Sequence, residues 1–127
     1  ELPPCDTFKK DSARVDNVCK ANLVDVARKL ASDPTARLII DSYYRQGEKP
    51  SLAFERGKNV RDRLADGSIG ITIDANRLVV RPSGLSDDGT QVQLSLLPAG
   101  AKMPPGAAAV DVGSVVKEGR RVPVKRR

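Results

Sequence analysis

Cys5 and Cys19 are the only residues in this sequence able to form a covalent cross-link, and their setting narrows what they do. They lack the C-x-x-C spacing of a redox or zinc motif, and no other soft ligand lies near them in sequence, which argues against a zinc site. A disulfide between them would pin an irregular N-terminus onto the helix that follows. It would close a short loop worth about 3 kcal/mol and imply an oxidising compartment. Two buried free thiols are the alternative. The sequence contains no histidine. That removes the usual general base near neutral pH and the commonest metal ligand, and it excludes Ser-His and Cys-His nucleophile pairs. Glu55 and Asp62 make a poor catalytic carboxylate pair, since nothing around them would drive their pKa values apart. Read alone, Arg56 is a helix-surface cation paired with Asp62 or Glu55, and Tyr43 and Tyr44 are strand aromatics covering a sheet edge. The chain is expected to bind rather than to catalyse, with no cofactor and no metal.

Length and charge agree with one small binding domain. At 127 residues the chain has room for a single core. Aromatic residues make up only 3% of it, so that core must be aliphatic. Most of the formal charge of +6 sits at the C-terminal end, where Lys117, Arg120, Arg121, Lys125, Arg126 and Arg127 face Glu118 alone. A near-neutral body with a basic tail argues against nucleic acid as the partner and for a solvated tail. No apolar run reaches the roughly 20 residues that span a bilayer. The chain begins at Glu1 and reads as a piece whose export signal and neighbouring domains lie outside it.

The elements that would position any site follow from periodicity. Thr7-Phe8 could form a short leading strand. From Ser12, the residues Val15, Val18, Cys19, Leu23, Val26, Ala27 and Leu30 recur at three- and four-residue steps. This predicts an amphipathic helix capped by Ser12 or Asp11 and stopped by Asp33-Pro34. Leu38-Ile39-Ile40 reads as a buried strand. After a polar loop, Ala53, Gly57, Val60 and Leu64 stripe a second helix over residues 51–65. Gly57 costs about 1 kcal/mol inside a helix, so a close neighbour is expected there. Arg77 to Arg81 and the alternating Gln91 to Leu96 complete the pattern as strands, separated by an Asp87-Asp88-Gly89 turn. The order strand, helix, strand, helix, strand, strand predicts an α/β fold, an α+β sandwich with two helices on one face of a mixed sheet. Residues 1–98 are expected to form the domain and residues 99–127 a flexible, Ala/Pro/Gly-rich and basic tail.

Three stretches in this order resemble the OmpA-like domain. They are Val26-Ala27-Arg28-Lys29-Leu30 with Asp33-Pro34 and Leu38-Ile39-Ile40; Leu52-Ala53-Phe54-Glu55-Arg56-Gly57-Lys58-Asn59-Val60, similar to the family pattern L-S-x-x-R-A-x-x-V; and Ile73-Asp74-Ala75-Asn76-Arg77-Leu78. The resemblance covers roughly residues 8 to 97. It implies a non-catalytic, peptidoglycan-binding module on the periplasmic side of the bacterial outer membrane. In that family an Asp at the end of the central strand and the Arg of the second helix grip the diaminopimelate of the stem peptide. A guanidinium fork can hold a carboxylate by two parallel bonds, and a carboxylate can accept from an ammonium.

The resemblance places Arg56 as the family Arg. The family's G-[HY]-T-D aligns with Asp41-Ser42-Tyr43-Tyr44, so Tyr44 stands where the ammonium-binding Asp belongs. A phenol titrates near pH 10 and offers an ammonium only a neutral hydrogen bond or an aromatic face. Asp41 is the nearest carboxylate, although odd spacing on a strand turns it to the other face. Gly89-Thr90-Gln91-Val92 replaces the family's N-R-R-V. The ligand set implied is Arg56 with Tyr44, Asp41 and Tyr43, for a peptidoglycan stem peptide. The alternative is a degenerate scaffold that keeps the fold and contacts other envelope proteins. No nucleic acid is expected, and membrane attachment only through a parent segment.

Overall fold

The computed structural model describes residues 2–116 of the chain. Helix α1 spans Asn17–Ser32, strand β1 Arg37–Tyr44, helix α2 Ser51–Ala65, strand β2 Leu78–Leu85 and strand β3 Val92–Leu97, with a 3-10 turn Ala75–Arg77 before β2. The sheet order is β2-β1-β3. β1 runs parallel to β2, with Ile40 opposite Val80, and antiparallel to β3, with Ile40 opposite Leu94. The architecture is the expected one: two helices share one core with one face of a mixed sheet. Leu23, Val26, Leu30, Val60 and Leu64 from the helices pack with Leu38, Ile40, Val80, Val92 and Leu94 from the strands.

The start of α1 differs from the periodic reading, and β2 runs to Leu85, four residues beyond the expected Arg81. α1 begins at Asn17 with Asp16 as its cap, its carboxylate accepting from the Cys19 N–H. The helix does not reach back to Ser12, because the first carbonyls of the expected helix are engaged elsewhere. Ser12 C=O accepts from Arg56 Nε and Ala13 C=O from Asn59 Nδ2, both on α2. Val15 still reaches the core, while Val18, expected on the apolar stripe, is 55% exposed.

The leading Thr7-Phe8 strand is a further difference. This segment runs beside β3 without joining the sheet, held by one backbone bond from Cys5 N–H to Val92 C=O and by side chains acting as backbone. The Gln91 amide accepts from Phe8 N–H and donates to Phe8 C=O, and the Asp6 carboxylate accepts from Gln91 N–H and Val92 N–H. The Cys5–Cys19 disulfide is formed and buried in the core, tying the segment to α1.

The chain does not leave the fold at Pro98. Arg81 Nη1 donates to Pro104 C=O on the sheet face opposite the helices, and Gly106 lies against the same guanidinium. Val110 then bridges antiparallel to Val80, Val112 enters the core, and Arg61 and Arg63 donate to the carbonyls of Gly113 and Val116. Residues 104–116 thus strap the β2 edge. The basic end, residues 117–127, lies outside the described residues.

Candidate functional site

Arg56 sits on the buried face of α2, one turn from its start, and its side chain is fully buried. It is not a surface cation, and it pairs with neither Glu55 nor Asp62. Asp62 instead accepts from Lys58 and Arg61. The partner of Arg56 is Glu48, from the loop after β1. Nη1 donates to Oε1 at 2.8 Å and Nη2 to Oε2 at 2.6 Å, a two-pronged pair in which the glutamate side chain is 1% exposed. The remaining donors are taken as well. Nε donates to Ser12 C=O, Nη1 also to Tyr43 C=O, and Nη2 also to Lys9 C=O at 3.4 Å. All five guanidinium N–H groups are therefore directed at acceptors within the chain. The Phe8 ring, 5.3 Å from the guanidinium carbon, covers it from one side.

Glu48 is as fully satisfied as its partner. Besides the arginine, its carboxylate accepts from Arg45 N–H at 2.7 Å and from Asp11 N–H at 2.8 Å. The loop is shaped for this. Gly47 takes a left-handed φ of 87°, and Asp11 does so at 61° without being glycine, which turns its N–H onto the carboxylate. Hydrogen bonds from Arg56, reinforced by the two backbone N–H groups and opposed by burial, hold the Glu48 pKa at about 2. The hub knots together the N-terminal segment, the end of β1, its following loop and α2.

The other expected site residues are not gathered around this guanidinium. Asp41 faces the opposite side of the sheet, where its carboxylate takes a two-pronged contact from Arg81 at 2.7 and 3.0 Å. That pairing raises the Arg81 pKa. Tyr43 meets Arg56 through its backbone carbonyl only. Tyr44 lies at a register shift between β1 and β2, its C=O accepting from Ser86 N–H. Glu48 is the residue that sequence reading missed. Its only signal was a carboxylate in a short glycine-bearing loop eight positions before the arginine.

The OmpA-like domain of FopA1 from Francisella tularensis subsp. tularensis SCHU S4 superposes with a TM-score of 0.56, over 82% of this chain and 72% of that one, at 15% sequence identity. The chain has the OmpA-like fold. No protein-family model matches the sequence, and no curated protein matches it. Arg56 lies beside the end of β1, and the chain's own Glu48 carboxylate occupies its guanidinium fork. Among the described residues no group of three His, Cys, Asp or Glu side chains could hold a metal. No helix there is long and apolar enough to cross a membrane.

Proposed function

We propose that this chain is a non-catalytic OmpA-like module of a bacterial cell-envelope protein, facing the periplasm, that works by protein contact. In this reading it does not grip the peptidoglycan stem peptide. One observation carries it: both oxygens of the buried Glu48 already occupy the fork of Arg56. A ligand carboxylate could only repeat the bonds that Glu48 makes. It would first have to expel a buried anion whose release leaves charges uncompensated, at a cost of about 3 to 5 kcal/mol. The ammonium side of the implied site is equally unprovided. Tyr44 offers a phenol where a carboxylate would be needed, and Asp41 is engaged by Arg81 on the other face.

The rival reading, peptidoglycan binding through Arg56 with Tyr44, Tyr43 or Asp41 completing the site, requires the loop carrying Glu48 to open. Co-sedimentation with purified sacculi separates the two. Wild-type protein is expected to stay in the supernatant at moderate salt. Retention that is lost on Arg56→Lys, in a variant whose circular dichroism and melting stay native, would overturn the scaffold reading and restore the stem peptide as ligand.

A further inference from the structure

Strand β3 keeps an open edge beside the segment expected as a leading strand. Tyr43 N–H donates to Gln91 C=O, so in this antiparallel register Gln93, Ser95 and Leu97 exchange bonds with β1, while Val92, Leu94 and Leu96 turn their N–H and C=O groups outwards. Val92 is met there by Cys5 N–H and by the Asp6 carboxylate. The N-terminal segment runs on along the same edge towards Leu2, but its next residues are Pro4 and Pro3, which have no N–H to give. Among the described residues no partner meets the outward groups of Leu94 and Leu96. A cleft of about 370 Å3 lies along them, lined by Leu2, Lys29, Gln93, Leu94, Ser95 and Leu96.

Unpaired groups in this row fit an extended backbone, and the cleft wall selects its side chains. A strand laid against β3 points alternate side chains to the face that Leu94 and Leu96 share, the side of α1, Leu2 and Lys29. Leu2 packs against the core there and suits an apolar neighbour. Lys29 stands exposed in the last turn of α1 beside the exposed Arg28, and among the described residues neither is in an ion pair. The hollow adjoining the cleft sets Asp25 alone against these two cations. We infer that the open edge of β3 takes up an extended segment of a partner protein, paired through Leu94 and Leu96, with apolar and carboxylate side chains on the face turned to α1. A second copy of this chain fits less well. Two-fold pairing would bring two Lys29 side chains and two Leu2-Pro3-Pro4 segments onto one short edge.

The inference rests on the protein-contact reading and names its surface. The test is an NMR titration of the full chain with a capped peptide of repeating Val-Thr-Glu-Thr, whose extended form puts valine and glutamate on one face. The amide signals of Leu94 and Leu96 should shift saturably and exchange more slowly with solvent, while those of β2 stay in place. Lys29→Glu, at an exposed position, should weaken binding about fivefold with native melting. Methylating the valine and glutamate nitrogens of the peptide removes the donors that face β3 and keeps the side chains, and should abolish binding. Three results would overturn the inference: signals unmoved at millimolar peptide, equal binding of the methylated peptide, or a concentration-dependent dimer that protects the same amides without peptide. Arg56→Lys leaves this edge alone. A protein that stays off sacculi yet ignores the peptide sinks the edge and spares the scaffold reading, whereas retention on sacculi through Arg56 sinks that reading whatever the titration gives.

Discussion

Gly57 and Ser42 touch across the interface of α2 and β1 so closely that a Cβ built on the glycine would stand 2.6 Å from Ser42 Oγ and 2.8 Å from a methyl of Val80. The helix meets the sheet at this point because one of its residues has no side chain. Gly57→Ala gains the helix propensity of alanine, about 1 kcal/mol, but must push back both a strand residue and a core valine. Overpacking of that kind costs about 1 to 3 kcal/mol. The variant is expected to be destabilised, read as a lower urea midpoint at unchanged slope.

Ser42 itself is an odd occupant of this interface. It is fully buried, and its Oγ has no hydrogen-bond partner among the described residues. An unpaired buried hydroxyl is a cost of about 1 to 3 kcal/mol rather than a contribution. Ser42→Ala should therefore leave stability unchanged or raise it. A clear fall in melting temperature would mean that the hydroxyl has a role the packing does not reveal.

Much of this architecture was readable because local rules and the tertiary fold agree. Ala53, Gly57, Val60 and Leu64 stripe α2 along the face it buries, and Asp33-Pro34 stops α1 where a residue before proline should. The parts that could not be read are those where distant groups compete for the same backbone. The start of α1 moved from Ser12 to Asn17 because carbonyls at Ser12 and Ala13 are drawn to α2 side chains 44 and 46 residues away in sequence. The arginine was legible as a buried-site candidate only through the family pattern. Its partner Glu48 lay in a loop that no periodicity describes, and a carboxylate there gains meaning only when β1, α2 and the N-terminal segment converge. Val112 was hidden by its neighbours, since Asp111, Gly113 and Ser114 around it give no periodic apolar pattern that would look like core.

The Glu48 pair makes stability depend on pH in a defined window. The folded pKa of about 2 lies below the ordinary 4.5, so the carboxylate stabilises the fold fully above pH 4.5. That contribution, on the order of 3 kcal/mol, is lost as pH falls through the interval down to about 2. Glu48→Gln removes the charge at every pH. It should be less stable than wild type at pH 7 and should lose the acid dependence contributed by this site. Denaturant titrations at pH 7 and pH 3 on both proteins measure it, and identical pH slopes would place the acid sensitivity elsewhere.

The disulfide closes the loop from Cys5 to Cys19, within which Asp6, Phe8, Lys9, Asp11 and Ser12 supply partners to β3 and the hub. Reduction, or Cys5→Ser with Cys19→Ser, should lower stability by about 3 kcal/mol. It should also speed amide exchange at Val92 and Asp11, whose N–H groups depend on that segment, ahead of the β1 ladder. Exchange that rises uniformly over the sheet would show that the segment does not open as a unit.

Residues 104–116 provide the sharpest comparison between a loose tail and a docked strap. Val112 is 8% exposed within the core, so Val112→Ala removes buried methyl groups and should cost about 1 to 2 kcal/mol. Gly106→Ala tests the other end. A Cβ there would lie 2.8 to 3.1 Å from the Arg81 guanidinium, which is held in place by Asp41 and cannot swing aside without breaking that pair. Both variants should unfold at lower urea, and Gly106→Ala should do so less when Arg81 is also replaced by Lys, whose single ammonium fills less of the contact. If Val112→Ala and Gly106→Ala both melt like wild type, the strap contributes nothing to the fold, and the β2 edge is stable without it.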